Sequence, residues 1–99
     1  MSKCFSTTNW QVKEGKQEEF IQRWTTFLNW TRETQDGLEA AQLVVDVEDP
    51  RRFVSVGEWR DSAARQAWQE APRFTELFMP CLEVCEDMQG SQYEIKVTI

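Results

Sequence analysis

A chain of 99 residues has the length of one domain, and a domain of that size buries only about 60–65% of the surface its unfolded chain exposes, so it gains from a partner subunit. Its 17 acidic residues outnumber 11 basic ones, for a net charge of −6, and no basic stripe is present, which excludes a reader of nucleic-acid phosphates. No apolar run nears the roughly 20 residues of a membrane span, "MSKCFSTTNW" has no apolar leader, and the absence of histidine removes His-dependent triads and Cys/His zinc sites.

The chain is therefore expected in the cytoplasm, in contact with neither membrane nor nucleic acid. In chain order, residues 4–12, "CFSTTNWQV", read as a strand, rich in threonine, aromatics and valine. Gly15 punctuates "KEGK". Residues 16–35 then show helical spacing, with Phe20, Trp24, Phe27, Leu28 and Thr31 on one face. Glu18 and Glu19 lie in the first turn, where the helix dipole favours anions, and Gly37 is a C-terminal stop. Residues 38–47 make a second strand and 52–59 a third, joined by a turn at Asp49–Pro50 into a hairpin. Asp61 or Ser62 caps a second helix. That helix breaks near "EAPRF", where Pro72 suits a restarted first turn, and Pro80 should weaken a later turn. Gly90 is expected to end the helical region. Residues 91–99 alternate as a half-buried strand, with Tyr93, Ile95, Val97 and Ile99 on one side.

Strand–helix–strand–strand–helix–strand is the ferredoxin-like order, an α+β fold with helices on one face of a four-stranded antiparallel sheet. Strands two and three carry apolar residues on both faces: Leu43, Val45 and Val47 against Val44, and Phe53 and Trp59 against Val54 and Val56. Both faces should then be covered, one by the helices and the other by the sheet of a second subunit. Cysteine is present three times, at Cys4, Cys81 and Cys85, an odd number that does not suit a secreted disulfide framework. Cys81 and Cys85, one helical turn apart, read as small apolar residues on a buried face rather than a metal or redox pair.

Three stretches resemble the antibiotic biosynthesis monooxygenase family of dimeric α+β barrels. "WQVKEGKQEEF" resembles its opening strand, glycine–lysine turn and acidic helix start. "DPRRFVSVGEWRDSAARQAW" resembles its strand ending in glutamate and tryptophan and running into an alanine-containing helix. "APRFTELFMPCLEVCEDMQG" resembles its segment with a proline before an aromatic and a later proline before a leucine-rich turn. The resemblance covers nearly the whole chain, as a single domain over residues 1–99. It implies a homodimer whose sheets pair into a barrel, with a pocket in each subunit between helices and sheet. Characterised members oxidise aromatic polyketides with dioxygen and neither metal nor flavin; others degrade haem. The haem-degrading relatives carry a histidine ligand ten residues after a helix tryptophan. Here that tryptophan corresponds to Trp68, and Phe78 stands at the histidine position.

The expected function is thus cofactor-independent monooxygenation of a small aromatic substrate, quinol or polyketide-like, by a homodimer that uses no cofactor and no metal. The alternative is a non-catalytic small-molecule-binding or stress-related barrel. Such oxygenation needs an apolar slot, a polar group for the substrate anion and exclusion of water. Trp68 is read as a wall of a pocket of at least about 300 Å³, with a core role as the alternative. Asn9 is the candidate to polarise substrate or dioxygen. Relatives place an asparagine on this strand one position away, a shift that flips the side chain unless a bulge restores it. Trp24 and Phe78 would line the pocket. Arg73 would meet an anionic substrate, or else be a solvated helix arginine. Glu58 would be a general base if buried, or else pair with a basic residue near the sheet edge. Trp59 packs under the second helix, Trp10 caps the barrel, and Trp30 lies on the flank of the first helix.

Overall fold

The computed structural model describes residues 3–99. Strand β1 (Cys4–Val12) is followed by helix α1 (Gln17–Thr34) and a hairpin of β2 (Leu38–Val45) and β3 (Arg52–Trp59). Helices α2 (Ser62–Gln69) and α3 (Phe74–Glu83) then lead into β4 (Cys85–Glu94). The strands form one antiparallel sheet in the order β2-β3-β1-β4. This is the ferredoxin-like α+β arrangement, with the second helix split into α2 and α3.

The local chemistry accounts for the joints. Gly15 sits at φ 80° in the turn before α1, a left-handed conformation that costs glycine little. The Asp61 carboxylate accepts the Ala64 N–H at 2.8 Å and caps α2. Gly37 is buried, and a Cβ there would stand 2.5 Å from the Ala64 Cβ. Only glycine lets the start of β2 approach α2 this closely. Helix α3 runs through Pro80, whose carbonyl accepts Nη1 of Arg23 at 2.7 Å and so ties α3 to α1.

The core lies between helices and sheet. It gathers Trp10, Val12, Phe20, Trp24, Phe27, Phe53, Cys81 and Val84. The helix-facing positions of β1 and β3 alternate with an outer set, as a pleated sheet requires. Cys4, Trp10, Val12, Phe53 and Trp59 are buried; Phe5, Val54 and Val56 on the other face are only half-buried, and Asn9 is exposed. The expected two-sided apolar pattern is therefore present in β3, whereas in β2 both Val44 and Val45 are exposed, and nothing among the described residues covers the outer side.

Three expected boundaries move. The second strand stops at Val45, and Val47 is exposed. Pro72 precedes α3 and its N-terminal flank Arg73 instead of starting the helix. The largest shift is in the last strand. Helix α3 ends at Glu83, and β4 begins at Cys85, so Gly90 lies inside a strand and residues 95–99 lie outside the sheet. The cause is the length of β1: its pairing runs from Val12↔Cys85 to Cys4↔Glu94, and beyond Glu94 no strand among the described residues lies alongside. Cys81 and Cys85 accordingly do not share a helix.

Candidate functional site

An aromatic cavity of about 70 Å³ opens between α1, α2, α3 and the middle of the sheet. Trp10, Trp24, Phe27, Trp59, Trp68 and Phe78 form its apolar wall. Ser6, Thr8 and Ser55 contribute the sheet-side polar positions, and Arg65 is the one charged residue on the wall among the described residues. A second, more open groove of about 390 Å³ shares Thr8, Arg65, Trp68 and Phe78 with it and extends over Phe74 and Gly90. Small-molecule pockets usually span about 300–1,000 Å³. The groove has that size and the inner cavity does not; the latter suits a few water-sized molecules. Trp68 therefore lines a space of the expected volume, with a small annex behind it.

Trp68 is held in place by its neighbours. It stacks obliquely on Trp59 with ring centroids 5.0 Å apart and meets Phe74 edge-on at 4.8 Å. Its indole N–H donates to Oγ1 of Thr31 at 2.9 Å, and that hydroxyl in turn donates to the Phe27 carbonyl at 2.9 Å. Thr31 is the buried polar residue of α1, so this chain satisfies groups that would otherwise be costly to bury. Trp68 is thus wall and packing element together. Trp59 is 2% exposed and packs against Trp68 while also reaching the cavity. Trp10 is buried in the core instead of capping an open end, and its N–H donates to Oγ of Ser55 at 3.1 Å. Trp30 is half-buried and stacks on Phe27.

The structure brings Trp24, Trp68 and Phe78 of the expected site together. It does not bring Asn9, Arg73 or Glu58 to them. Asn9 pairs with Val54 in an unbroken register along β3, and the irregularity against β4 falls at Gln11–Val12, beyond it. No bulge rescues Asn9, so it stays exposed on the face opposite Trp10. Glu58 is on that same outer face and pairs with Lys3 at 3.3 Å. Arg73 flanks the start of α3, exposed, and pairs with Glu76 at 3.4 Å.

Arg65, Ser6 and Thr8 are the wall residues that sequence reasoning passed over. The signal was available: Ser6 and Thr8 are in strand phase with Trp10, and Arg65 stands three residues before Trp68 on the same helix face.

Cys81 and Cys85 are held as thiols. Burial pushes the Cys81 thiol up to about 12 and the Cys85 thiol to about 11, the nearby Cys85 adding to the shift at Cys81. Each S–H is directed at a backbone carbonyl, Cys81 at Leu77 and Cys85 at Cys81. Thiols of that kind are poor nucleophiles and poor metal ligands at neutral pH. Among the described residues no group of three His, Cys, Asp or Glu side chains is placed to hold a metal ion, and no helix is long and apolar enough to cross a membrane.

A ferredoxin-like domain with an aromatic pocket between helices and sheet is the class that this fold and site define. The chain belongs to the antibiotic biosynthesis monooxygenase family, whose profile matches residues 5–78. Solved structures carry the same fold. SnoaB of Streptomyces nogalater, a cofactor-independent oxygenase, superposes with a TM-score of 0.91 at 14% identity over 100% of this chain and 98% of its own. A conserved protein of Methanosarcina mazei Go1 gives 0.88 at 21% identity, covering 97% and 95%. A protein of Shewanella oneidensis gives 0.84 at 23% identity, covering 95% and 91%. No curated protein matches the sequence significantly.

Proposed function

We propose that the protein is a cofactor-independent monooxygenase for a small aromatic substrate, quinol or polyketide-like, and that it works as a homodimer. One observation carries the reading: the groove beside Trp68 has the size for a flat ring and offers it the rings of Trp68, Phe74 and Phe78 among polar side chains, and behind it lies an aromatic annex of about 70 Å³ with room for dioxygen. For an anthrone the reaction balances without any further reagent. The ring CH₂ loses a proton, and the carbanion passes an electron to dioxygen. Recombination forms a C–O bond, and loss of water leaves a ketone. Both hydrogens of the CH₂ and the second oxygen atom depart in that water. The pocket contributes orientation and exclusion of bulk water. Its family membership and the fold shared with SnoaB support the assignment.

The half-buried Phe5, Val54 and Val56 on the outer sheet face support the homodimer, since a second sheet is the simplest cover for them. Light scattering at micromolar concentration should give twice the chain mass; a monomer overturns this part.

The absence of a carboxylate from the wall of the inner cavity, among the described residues, favours a second reading as a non-catalytic binder. Oxygen consumption with a panel of anthrones and quinols separates the two. One dioxygen consumed per anthrone, with the ketone as product, is expected. Consumption at the protein-free rate across the panel overturns the oxygenase.

A further inference from the structure

The outer face of the sheet is graded from end to end. At one end Gln11 lies between Arg52 of β3 and Asp87 of β4; at the other, Phe5 lies between Glu58 and Tyr93. One residue back along the chain, Arg51 and Glu86 pair with each other at 2.6 Å, and Glu58 is held by Lys3. Arg52 and Asp87 are exposed, and neither has an ion-pair partner among the described residues. The strand between them keeps their backbones about 10 Å apart, and both border an open depression of about 290 Å³ with Asn9, Gln11 and Gln89. In water both charges are solvated. Under a second sheet they lose that water, and a covered charge without a partner is strongly unfavourable.

We infer that two copies of the chain face each other about a two-fold axis running along the strands near β1, with Arg52 of each copy paired with the partner's Asp87. The inference rests on the homodimer proposed above and fixes its register. Its physical basis is self-complementarity. In a two-fold interface every contact of i with j is matched by one of j with i, so a basic and an acidic residue flanking one central strand satisfy each other twice. The same axis sets Gln11 beside the partner's Gln11 and Phe5 beside the partner's Phe5, polar end on polar end, with the strands aligned as in a sandwich. An axis across the strands would lay Gln11 and Asp87 on the partner's Phe5 and Tyr93. The half-buried Val54 and Val56 then supply adhesion, while the charged ends select the orientation.

The test is a charge swap read by sedimentation equilibrium at neutral pH and low salt. Arg52→Asp sets acid against acid twice in the dimer, and Asp87→Arg sets base against base. Each variant alone should raise the dimer Kd about tenfold or more, as like charges brought together at an interface do. An equimolar mixture should recover a heterodimer within about threefold of the wild-type affinity, because one pair is then native and the other reversed in sign. Thermal melts confirm that the variants are folded. If a reversal unfolds the chain, Arg52→Gln with Asp87→Asn replaces it, and the rise of Kd with added salt seen in the wild type should be lost; a rise that persists overturns the inference. A wild-type dimer that neither reversal weakens overturns the inference and leaves the homodimer standing. Weakening without recovery in the mixture also overturns it, since the two charges then do not act on each other. A wild type that is monomeric at micromolar concentration overturns the homodimer and the inference together.

Discussion

The two faces of one sheet have different duties, and adjacent residues of β1 show it. Thr8 looks toward the helices and lines the pocket; Asn9 looks the other way and is exposed. The helix-side face is aromatic and closely partnered, with the N–H groups of Trp10 and Trp68 both satisfied by hydroxyls. The outer face is a band of half-buried valines among polar side chains, with Val44 49% and Tyr93 54% exposed. A residue's role in this fold follows from strand phase more than from residue type. A polar side chain placed one position out of phase is removed from the pocket altogether.

The contrast is sharpest where the helical layer touches the sheet's margin. Replacing Gly37 by alanine puts a Cβ 2.5 Å from that of Ala64, closer than two such carbons can approach. Helix α2, with Arg65 and Trp68, must move. Overpacking of this kind costs about 1–3 kcal/mol, which for a domain of this size lowers Tm by about 5–15 °C. Aromatic-ligand binding should weaken with it. A melt unchanged from the wild type would show that α2 is loosely seated and that the two faces differ less than described.

The next effect needs no substitution. The Cys81 and Cys85 thiols are raised to about 12 and about 11 in the folded chain, from 9.0 when unperturbed. The unfolded chain therefore releases those protons first. Their contribution to stability is complete below pH 9 and is lost as pH climbs through 11 and 12. Denaturant titrations should show a loss of about 1–2 kcal/mol by pH 10, with discounting for partial exposure. Changing both cysteines to alanine should flatten that slope. A slope unaffected by the change would mean that the thiols ionise equally well in the folded protein.

Much of this architecture is legible in the sequence. The third strand, residues 52–59, is found where its valines and flanking turn put it. Asp61 caps α2, and the alternating faces of β3 are as expected. The last strand was displaced because "SQYEIKVTI" alternates well on its own, whereas pairing follows the length of β1. The site was harder. Trp24, Trp68 and Phe78 line one cavity, but Arg65 and Arg73 are indistinguishable as helical arginines. Which of them is shielded depends on the angle at which α2 crosses the sheet and on Glu76 lying three residues beyond Arg73. Neither is a property of local sequence.

Trp68→Phe sits at the seam between packing and pocket. It removes the N–H that Thr31 accepts and one ring of the Trp59 and Phe74 contacts. Losing a hydrogen bond and some volume should cost about 1–2 kcal/mol. If Trp68 also walls the groove, affinity for a flat aromatic ligand falls several-fold in the same variant. Lower stability with unchanged affinity would return Trp68 to the core alone.

Asn9→Ala should have the smallest effect and is the most direct test of the contrast between faces. The side chain is exposed, makes no hydrogen bond among the described residues, and stands at the outer face against Val54 and Gln89. Surface changes away from caps and cores usually remain within about 0.5 kcal/mol, so Tm should be almost unmoved. Ligand affinity should be unmoved as well, because the backbone separates Asn9 from Trp68. Its companion Thr8→Val, one residue earlier, keeps shape and burial but deletes a hydroxyl from the pocket wall. It should weaken an aromatic ligand that carries a polar group about two- to tenfold, the range of one modest hydrogen bond. Comparing these two neighbours isolates strand phase from every other variable. If Asn9→Ala weakened binding while Thr8→Val did not, β1 would present its functional face outward, and the pocket would have to be sought between two paired sheets.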